Sequence, residues 1–220
     1  MKNIAVILAG CGYLDGAEIR ESVLTLLALE SEGVQYKIFA PNKDQHHVIN
    51  HLDGEPVEGS VRNVLEESAR IARGAIEDIS SLKVELFDAL VLPGGFGVAK
   101  NLSSFAFEGS SGSIDNAISS KILGFHSMNK PIGAICISPV LVALSIGKQT
   151  PTVTIGSDKS TASELEKLGA KHQNCITSEC VVDEINKIVT TPAYMDDSAN
   201  LPEVLTGITK LVKNVIRLTS

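Results

Sequence analysis

The sequence predicts a three-layer α/β sandwich in which a mainly parallel sheet carries helices on both faces. Short runs rich in Val and Ile alternate along the chain with longer segments of helical period, and this alternation is typical of βαβ units. With 220 residues, 44% of them hydrophobic, the chain is long enough to bury a core of its own. We therefore predict one domain over residues 1–220.

The runs that predict strands are short and apolar, and they lie at residues 3–9, 35–40, 89–92, 132–135 and 152–155. Segments with apolar residues at helical spacing predict helices over residues 17–32, 60–73, 114–128 and 200–218. The apolar stripe predicted for the first of these helices consists of Ile19, Val23, Leu26, Leu27 and Leu29. Two Val/Ile-rich arms surround a polar turn in CVVDEINKIVTTP, residues 180–192, and predict a β-hairpin added to the sheet.

The charge balance argues against a polyanionic partner. Lys and Arg total 19 against 26 Asp and Glu, which gives a formal net charge of −7, and no basic block is present. We therefore expect neither nucleic acid nor an anionic membrane as a partner. No apolar run is long enough to span a bilayer, and no segment resembles a targeting peptide. The four cysteines are widely scattered, so we predict a cytoplasmic protein with reduced thiols.

The motifs also argue against a metal or a nucleotide cofactor. His46, His47 and His51 lack the thiolate or carboxylate partners that a zinc site needs at nearby spacing. The stretch GFGVAKN has the wrong spacing for the phosphate loop GxxxxGK, and GCGYLDG does not match GxGxxG. We predict no metal site and no cofactor.

Three loops are expected to meet at the carboxyl edge of the sheet, where ligands bind in open parallel sheets. They are residues 10–21, 93–101 and 136–139. In the third loop, Cys136 stands in IGAICISPV between a predicted strand and a Ser-Pro that predicts a helix start. A helix beginning there would aim its N–H groups at the sulfur and lower the thiol pKa, which favours a nucleophile. The alternative is an inert buried cysteine, which is common in protein cores.

The other two loops supply an oxyanion pocket and acids. Gly94 and Gly95 permit a close backbone approach, and their N–H groups could form an oxyanion pocket with that of Ile137. The alternative is a tight turn that packing alone requires. Three acids lie at the start of the first helix, where negative charge stabilises the helix dipole and needs no further role. The alternative is that one of them points at Cys136 and moves a proton for the substrate. These acids are Asp15, Glu18 and Glu21.

Several stretches resemble one known family. LPGGFG and GAICISP look like the ThiJ/PfpI superfamily, which is related to class I glutamine amidotransferases and has a flavodoxin-like fold. VILAGCGYLDGAEIRE, INHLDGE, RNVLEESARIARG, LPGGFGVAKNLSSFA and KIVTTPAYM together resemble the bacterial ElbB proteins of isoprenoid biosynthesis and their ES1 relatives. The resemblance implies that Cys136 is the nucleophile at a strained turn, with Gly95 and Ile137 as oxyanion donors. Glu21 takes the place of the partner carboxylate, and Glu18 is a second candidate.

Departures from the superfamily pattern narrow the expected chemistry. Ile137 stands where many members have His after the nucleophile, and TTPAYMDD contains no His-x-Glu. Glutaminase and peptidase activities therefore lack a general base, unless His126 or His172 reaches the thiol. The resemblance implies a cofactor-independent glyoxalase that acts on a small dicarbonyl aldehyde, and it also suggests a homodimer. The alternative is a non-enzymatic redox-sensing or interaction protein, linked to isoprenoid metabolism, that uses the same cysteine.

Overall fold

The computed structural model describes residues 1–219 of the chain. The β-strands are Asn3–Ile7 (β1), Gln35–Ala40 (β2), Ile76–Asp78 (β3), Ala89–Leu92 (β4), Ile132–Ile135 (β5), Thr152–Val153 (β6), Lys171–His172 (β7), Val181–Asp183 (β8) and Ile188–Thr191 (β9). The α-helices are Ile19–Ser31 (α1), Val64–Ile71 (α2), Phe96–Lys100 (α3), Phe105–Glu108 (α4), Asn116–Ser127 (α5), Pro139–Ile146 (α6), Lys159–Lys167 (α7) and Leu201–Leu218 (α8). Within residues 1–219, no helix is long and apolar enough to cross a membrane.

Seven strands form one sheet in the order β3-β2-β1-β4-β5-β9-β8. All neighbouring pairs are parallel except β8 and β9, which form an antiparallel hairpin at one edge. This arrangement confirms the predicted fold class, a flavodoxin-like α/β sandwich with an added hairpin. The carboxyl ends of β1, β4 and β5 lie side by side, so the three loops that follow these strands share one edge of the sheet.

The central strands are buried because helices cover them. Every residue of β4 and β5 is buried, as expected for parallel strands in an α/β sandwich. Helix α8 packs on β5 and β9 beside α1. Its approach to β5 requires Gly133, since an added Cβ would lie 2.8 Å from Leu211 Cδ2. Asn200 and Glu203 form a capping box that begins α8.

Helix starts follow side-chain caps more closely than hydrophobic periodicity. The second helix was expected over residues 60–73, but α2 begins at Val64 because Asn63 Oδ1 accepts N–H bonds from Leu65 and Glu66 at 2.9 and 3.2 Å.

The predicted strand over residues 152–155 is shorter than expected. Strand β6 ends at Val153 and pairs with β7 in a separate two-stranded sheet.

The apolar stripe predicted for α1 is correct at Leu29, which is in the core, and at Leu26, which packs against it, but it is wrong at the other three positions. Ile19, Val23 and Leu27 are 45%, 48% and 47% exposed. The buried residues of this helix are instead Glu21, Ser22, Thr25, Ala28 and Leu29. The two buried hydroxyls are tolerated because backbone carbonyls one turn earlier accept their protons: Ser22 donates to Glu18 O and Thr25 to Glu21 O, each at 2.7 Å. The inward face of α1 therefore carries a carboxylate toward the sheet edge.

Candidate active site

Cys136 lies on a strained turn between β5 and α6. Its φ angle is +60°, a left-handed conformation that is costly for a residue with a side chain and that clusters at functional sites. The turn is held by the backbone N–H of Cys136, which donates to Thr191 O at 3.0 Å, and by the Ser138 hydroxyl, which donates to Pro93 O at 2.7 Å. The side chain of Cys136 is 7% exposed. The structure thus combines the two interpretations of the sequence, because this cysteine is both buried and held at a strained turn.

Glu21 is the carboxylate that contacts this cysteine. It lies in the first turn of α1 and is completely buried. Its Oε2 accepts the Gly94 N–H at 3.0 Å, and its Oε1 accepts the Tyr194 N–H at 3.1 Å. The carboxyl group also shares a hydrogen bond with the Cys136 thiol. Three separate loops thus fix the position of the Glu21 carboxyl group.

The two other candidate acids have different partners. Glu18 is the N-cap of α1, and its Oε2 accepts the Glu21 N–H at 2.6 Å, so it holds the helix start in place. Asp15 is 2% exposed and faces another loop, where its Oδ2 accepts the Ile49 N–H at 2.7 Å. Among the three acids of the first loop, the one that contacts Cys136 is Glu21.

The two glycines of the second loop have distinct functions. Gly94 donates its N–H to Glu21, so it is not free to act as the oxyanion donor predicted from the sequence. It instead leaves room for the pair: an added Cβ would lie 2.5 Å from Cys136 Cβ and 2.6 Å from Glu21 Oε2. Gly95 has a φ of +104°, and its N–H, with that of Ile137, faces the Cys136 sulfur. These two N–H groups match the predicted oxyanion donors.

The electrostatics of the pair differ from the sequence-based expectation. A lowered thiol pKa was predicted for Cys136, but burial and the neighbouring Glu21 raise this pKa well above its usual value. The N–H groups of Gly95 and Ile137 act in the opposite direction and lower it, but their effect is smaller. Burial and the charge of Glu18 likewise raise the pKa of Glu21 to about 8. The cause is shared: a buried site disfavours charge, and two negative groups in contact repel each other. The pair consequently carries at most one negative charge near neutral pH.

No histidine supplements this pair within residues 1–219. His172 lies in β7, where its Nε2 is 3.4 Å from Ile155 N, and no described hydrogen bond joins a histidine to Cys136. The same residues contain no group of three or more His, Cys, Asp or Glu that could hold a metal ion. Sequence reasoning missed Tyr194, which contributes only a backbone N–H. The available signal was KIVTTPAYM, which carries the family resemblance but does not reveal a backbone contact.

A buried Cys-Glu pair at the carboxyl edge of a flavodoxin-like sheet defines a ThiJ/PfpI-type, class I amidotransferase-like protein. The human glutamine amidotransferase-like class 1 domain-containing protein 3, a mitochondrial protein, is 43% identical over 99% of this chain and 83% of its own length. The mitochondrial ES1 protein homolog of rat is also 43% identical, over 99% of this chain and 84% of its own length. The chain belongs to this ES1 family. No family model matches it.

Solved structures agree with this assignment. An isoprenoid biosynthesis protein with an amidotransferase-like domain from Ehrlichia chaffeensis superposes with a TM-score of 0.92 at 44% identity, over 100% of both chains. Drosophila melanogaster DJ-1beta superposes with a TM-score of 0.55 at 18% identity, over 99% of this chain and 95% of its own length. The second match concerns the fold alone.

Proposed function

We propose that the protein is a cofactor-independent glyoxalase-type enzyme that converts glyoxal to glycolate, or methylglyoxal to lactate. The observation that carries this proposal is the buried contact between the Cys136 thiol and the Glu21 carboxyl group, with two N–H groups facing the sulfur. This set provides a nucleophile, one proton carrier and an oxyanion site. It contains no imidazole base, which glutaminases and peptidases of this superfamily would use.

In the first step, the pair acts with one proton removed. The Cys136 sulfur attacks the aldehyde carbon. If the remaining proton of the pair is on the sulfur, it passes to the Glu21 carboxylate during this attack. The N–H groups of Gly95 and Ile137 hold the oxyanion that forms. Protonation of this oxygen by Glu21 gives a neutral hemithioacetal and returns Glu21 to its carboxylate form.

In the second step, Glu21 removes the hydrogen from the carbon bonded to sulfur, and the electron pair moves onto the neighbouring carbonyl to give an enediolate. The hydroxyl proton on the first carbon passes to the oxygen of the second carbon, and Glu21 returns its proton to the second carbon itself, which leaves a thioester of a 2-hydroxy acid and the Glu21 carboxylate. Water then cleaves the bond between sulfur and the acyl carbon, releasing glycolate or lactate and the free thiol. The balance is one dicarbonyl plus one water for one 2-hydroxy acid, with no external oxidant or reductant.

The alternative, a redox-sensing protein, receives less support from the geometry. Peroxide oxidises exposed thiolates most readily, whereas Cys136 is 7% exposed and its thiol pKa is raised by burial and by Glu21. A homodimer and a cytoplasmic location remain predictions of the sequence.

The test is an assay of glyoxal loss and glycolate formation by the wild type and three variants. Cys136→Ser and Glu21→Gln are each expected to lower kcat/KM by at least about 100-fold, because each removes a reacting group. Cys175→Ser is the matched control, since Cys175 is a partly exposed thiol whose hydrogen bond goes to the Ile176 carbonyl and not to a carboxylate. Full activity of Cys136→Ser, or loss in Cys175→Ser alone, would refute the proposal.

A further inference from the structure

A second strained turn lies beside the Cys136 pair, between β9 and α8. Ala193 in this turn has a φ of +45° and is completely buried. Within residues 1–219, six residues other than glycine have a positive φ, and two of them, Cys136 and Ala193, are buried. The other four are half-buried or exposed: Arg73, Asn129, Thr150 and Lys187. Backbone strain of this kind clusters at functional sites, and both buried cases lie at the same one.

The turn contacts both members of the pair through its backbone. Thr191 O, at the end of β9, accepts the Cys136 N–H at 3.0 Å. The Tyr194 N–H donates to Glu21 Oε1 at 3.1 Å. This N–H belongs to the peptide that follows Ala193, so the dihedral angles of Ala193 decide where it points.

Two side chains keep the turn in place. The methyl group of Ala193 belongs to the hydrophobic core. The Arg20 guanidinium donates to the Tyr194 hydroxyl at 3.4 Å and lies 5.9 Å from the centroid of its ring. The turn is thus fixed both to the core and to α1, the helix that carries Glu21.

We propose that Ala193 is a positioning residue for the Cys136 pair. Its left-handed backbone aims the Tyr194 N–H at the Glu21 carboxyl group and so holds that group beside the thiol. The inference rests on the proposed function only where turnover is measured, because the contact itself involves no substrate. Burial and the charge of Glu18 raise the pKa of Glu21, whereas the Tyr194 N–H lowers it. Loss of this N–H should therefore raise the pKa of Glu21 further.

The test is an NMR titration of the Glu21 side-chain carboxyl carbon in the full chain and in five variants. Ala193→Val places a branched side chain at a positive φ. Tyr194→Pro removes the N–H at a φ of −80°, which proline can adopt. Each is expected to move the titration midpoint upward by about one pH unit from its wild-type value of about 8. Ala193→Gly tolerates the left-handed angle and is expected to keep the wild-type midpoint.

Two further variants are controls. Tyr194→Ala removes the ring and keeps the N–H. Asn129→Val introduces a branched residue at a φ of +55°, but Asn129 lies before the amino end of β5, whereas Cys136 follows the carboxyl end of that strand. Both are expected to leave the midpoint of Glu21 unchanged. Denaturant unfolding measures the stability of every variant and separates lost stability from a moved midpoint.

An unchanged midpoint in both Ala193→Val and Tyr194→Pro would overturn the proposal. So would an equal rise in Ala193→Gly, Tyr194→Ala or Asn129→Val, because the effect would then not depend on where the N–H points. Glyoxal turnover is measured in parallel, and kcat/KM at pH 7 is expected to fall about tenfold in the first two variants. If the wild type shows no turnover, the proposed function fails, and the titration still tests the role of Ala193.

Discussion

Two thiols of this protein, Cys136 and Cys175, differ in the groups that surround the sulfur. Cys136 is the more buried of the two, whereas Cys175 is partly exposed and lines a surface cavity of about 280 Å³. Burial is the largest cause that raises the pKa of both thiols, and that of Cys175 reaches about 11. If exposure alone decided reactivity, Cys175 would therefore be the more reactive thiol.

The groups around the two sulfur atoms favour Cys136 instead. The Cys175 sulfur has one hydrogen-bond contact, to Ile176 O at 3.5 Å. Cys136 instead has a left-handed backbone, a buried carboxyl partner and two N–H groups facing its sulfur. The fold thus places beside Cys136 the groups that the proposed chemistry requires, although burial disfavours its thiolate.

The largest expected effect comes from filling the space between the paired side chains. Gly94→Ala would place a Cβ 2.5 Å from Cys136 Cβ and 2.6 Å from Glu21 Oε2, so the pair must separate. We expect glyoxal turnover to fall by at least about 100-fold and the free energy of unfolding to fall by about 1–3 kcal/mol. Activity assays and denaturant unfolding measure both.

Gly124→Ala is the control for this substitution. An added Cβ at Gly124 lies 3.1 Å from Val84 Cγ2, far from the pair, and Ala favours a helix interior. Unchanged activity in Gly94→Ala would show that the contact between Cys136 and Glu21 is dispensable.

The second prediction concerns the dependence of activity on pH. Below the pKa of Glu21, about 8, the pair carries both protons and lacks a nucleophile or base. We therefore expect kcat/KM for glyoxal to rise about tenfold from pH 6 to pH 7 and to level off above pH 8. Cys175→Ser should keep this profile, whereas a profile that is flat from pH 6 to pH 8 in the wild type would contradict it.

A smaller effect is expected from Glu18→Gln. The charge of Glu18 raises the pKa of Glu21, so its removal should lower that pKa and move the activity profile to lower pH. Gln keeps a side-chain oxygen that can cap α1 in the way Glu18 does. We expect kcat/KM at pH 7 to rise by about threefold, and a shift of the profile to higher pH would argue against this account.

Much of the fold followed from the sequence because buried strands have a simple pattern. Strands β2, β4 and β5 have the predicted bounds, and the Ser-Pro after Cys136 correctly marked the turn into α6. Strand β3 was missed because its three residues alternate too briefly to be recognised. The polar helix α7 was also missed, since only Ala162 and Leu165 of it are buried.

The details of the candidate site were harder to predict, for a different physical reason. Glu21 and Glu18 could not be separated by pattern, because both stand at one helix start and only packing decides which points inward. Hydrophobic spacing placed Ile19, Val23 and Leu27 on the buried face of α1, yet the buried face carries three polar residues beside Ala28 and Leu29. Backbone donors such as Tyr194 N–H carry no residue-type signature, so sequence reasoning had no means to assign them.

The central claim is that Glu21 and Cys136 form one buried, proton-sharing pair. A direct measurement is the titration of the Glu21 side-chain carboxyl carbon by NMR, in the wild type and in Cys175→Ser. We expect a titration near pH 8 in both proteins. A carboxyl group that titrates near its ordinary value of 4.5 would contradict a buried Glu21 that holds its proton at neutral pH, and with it the pair.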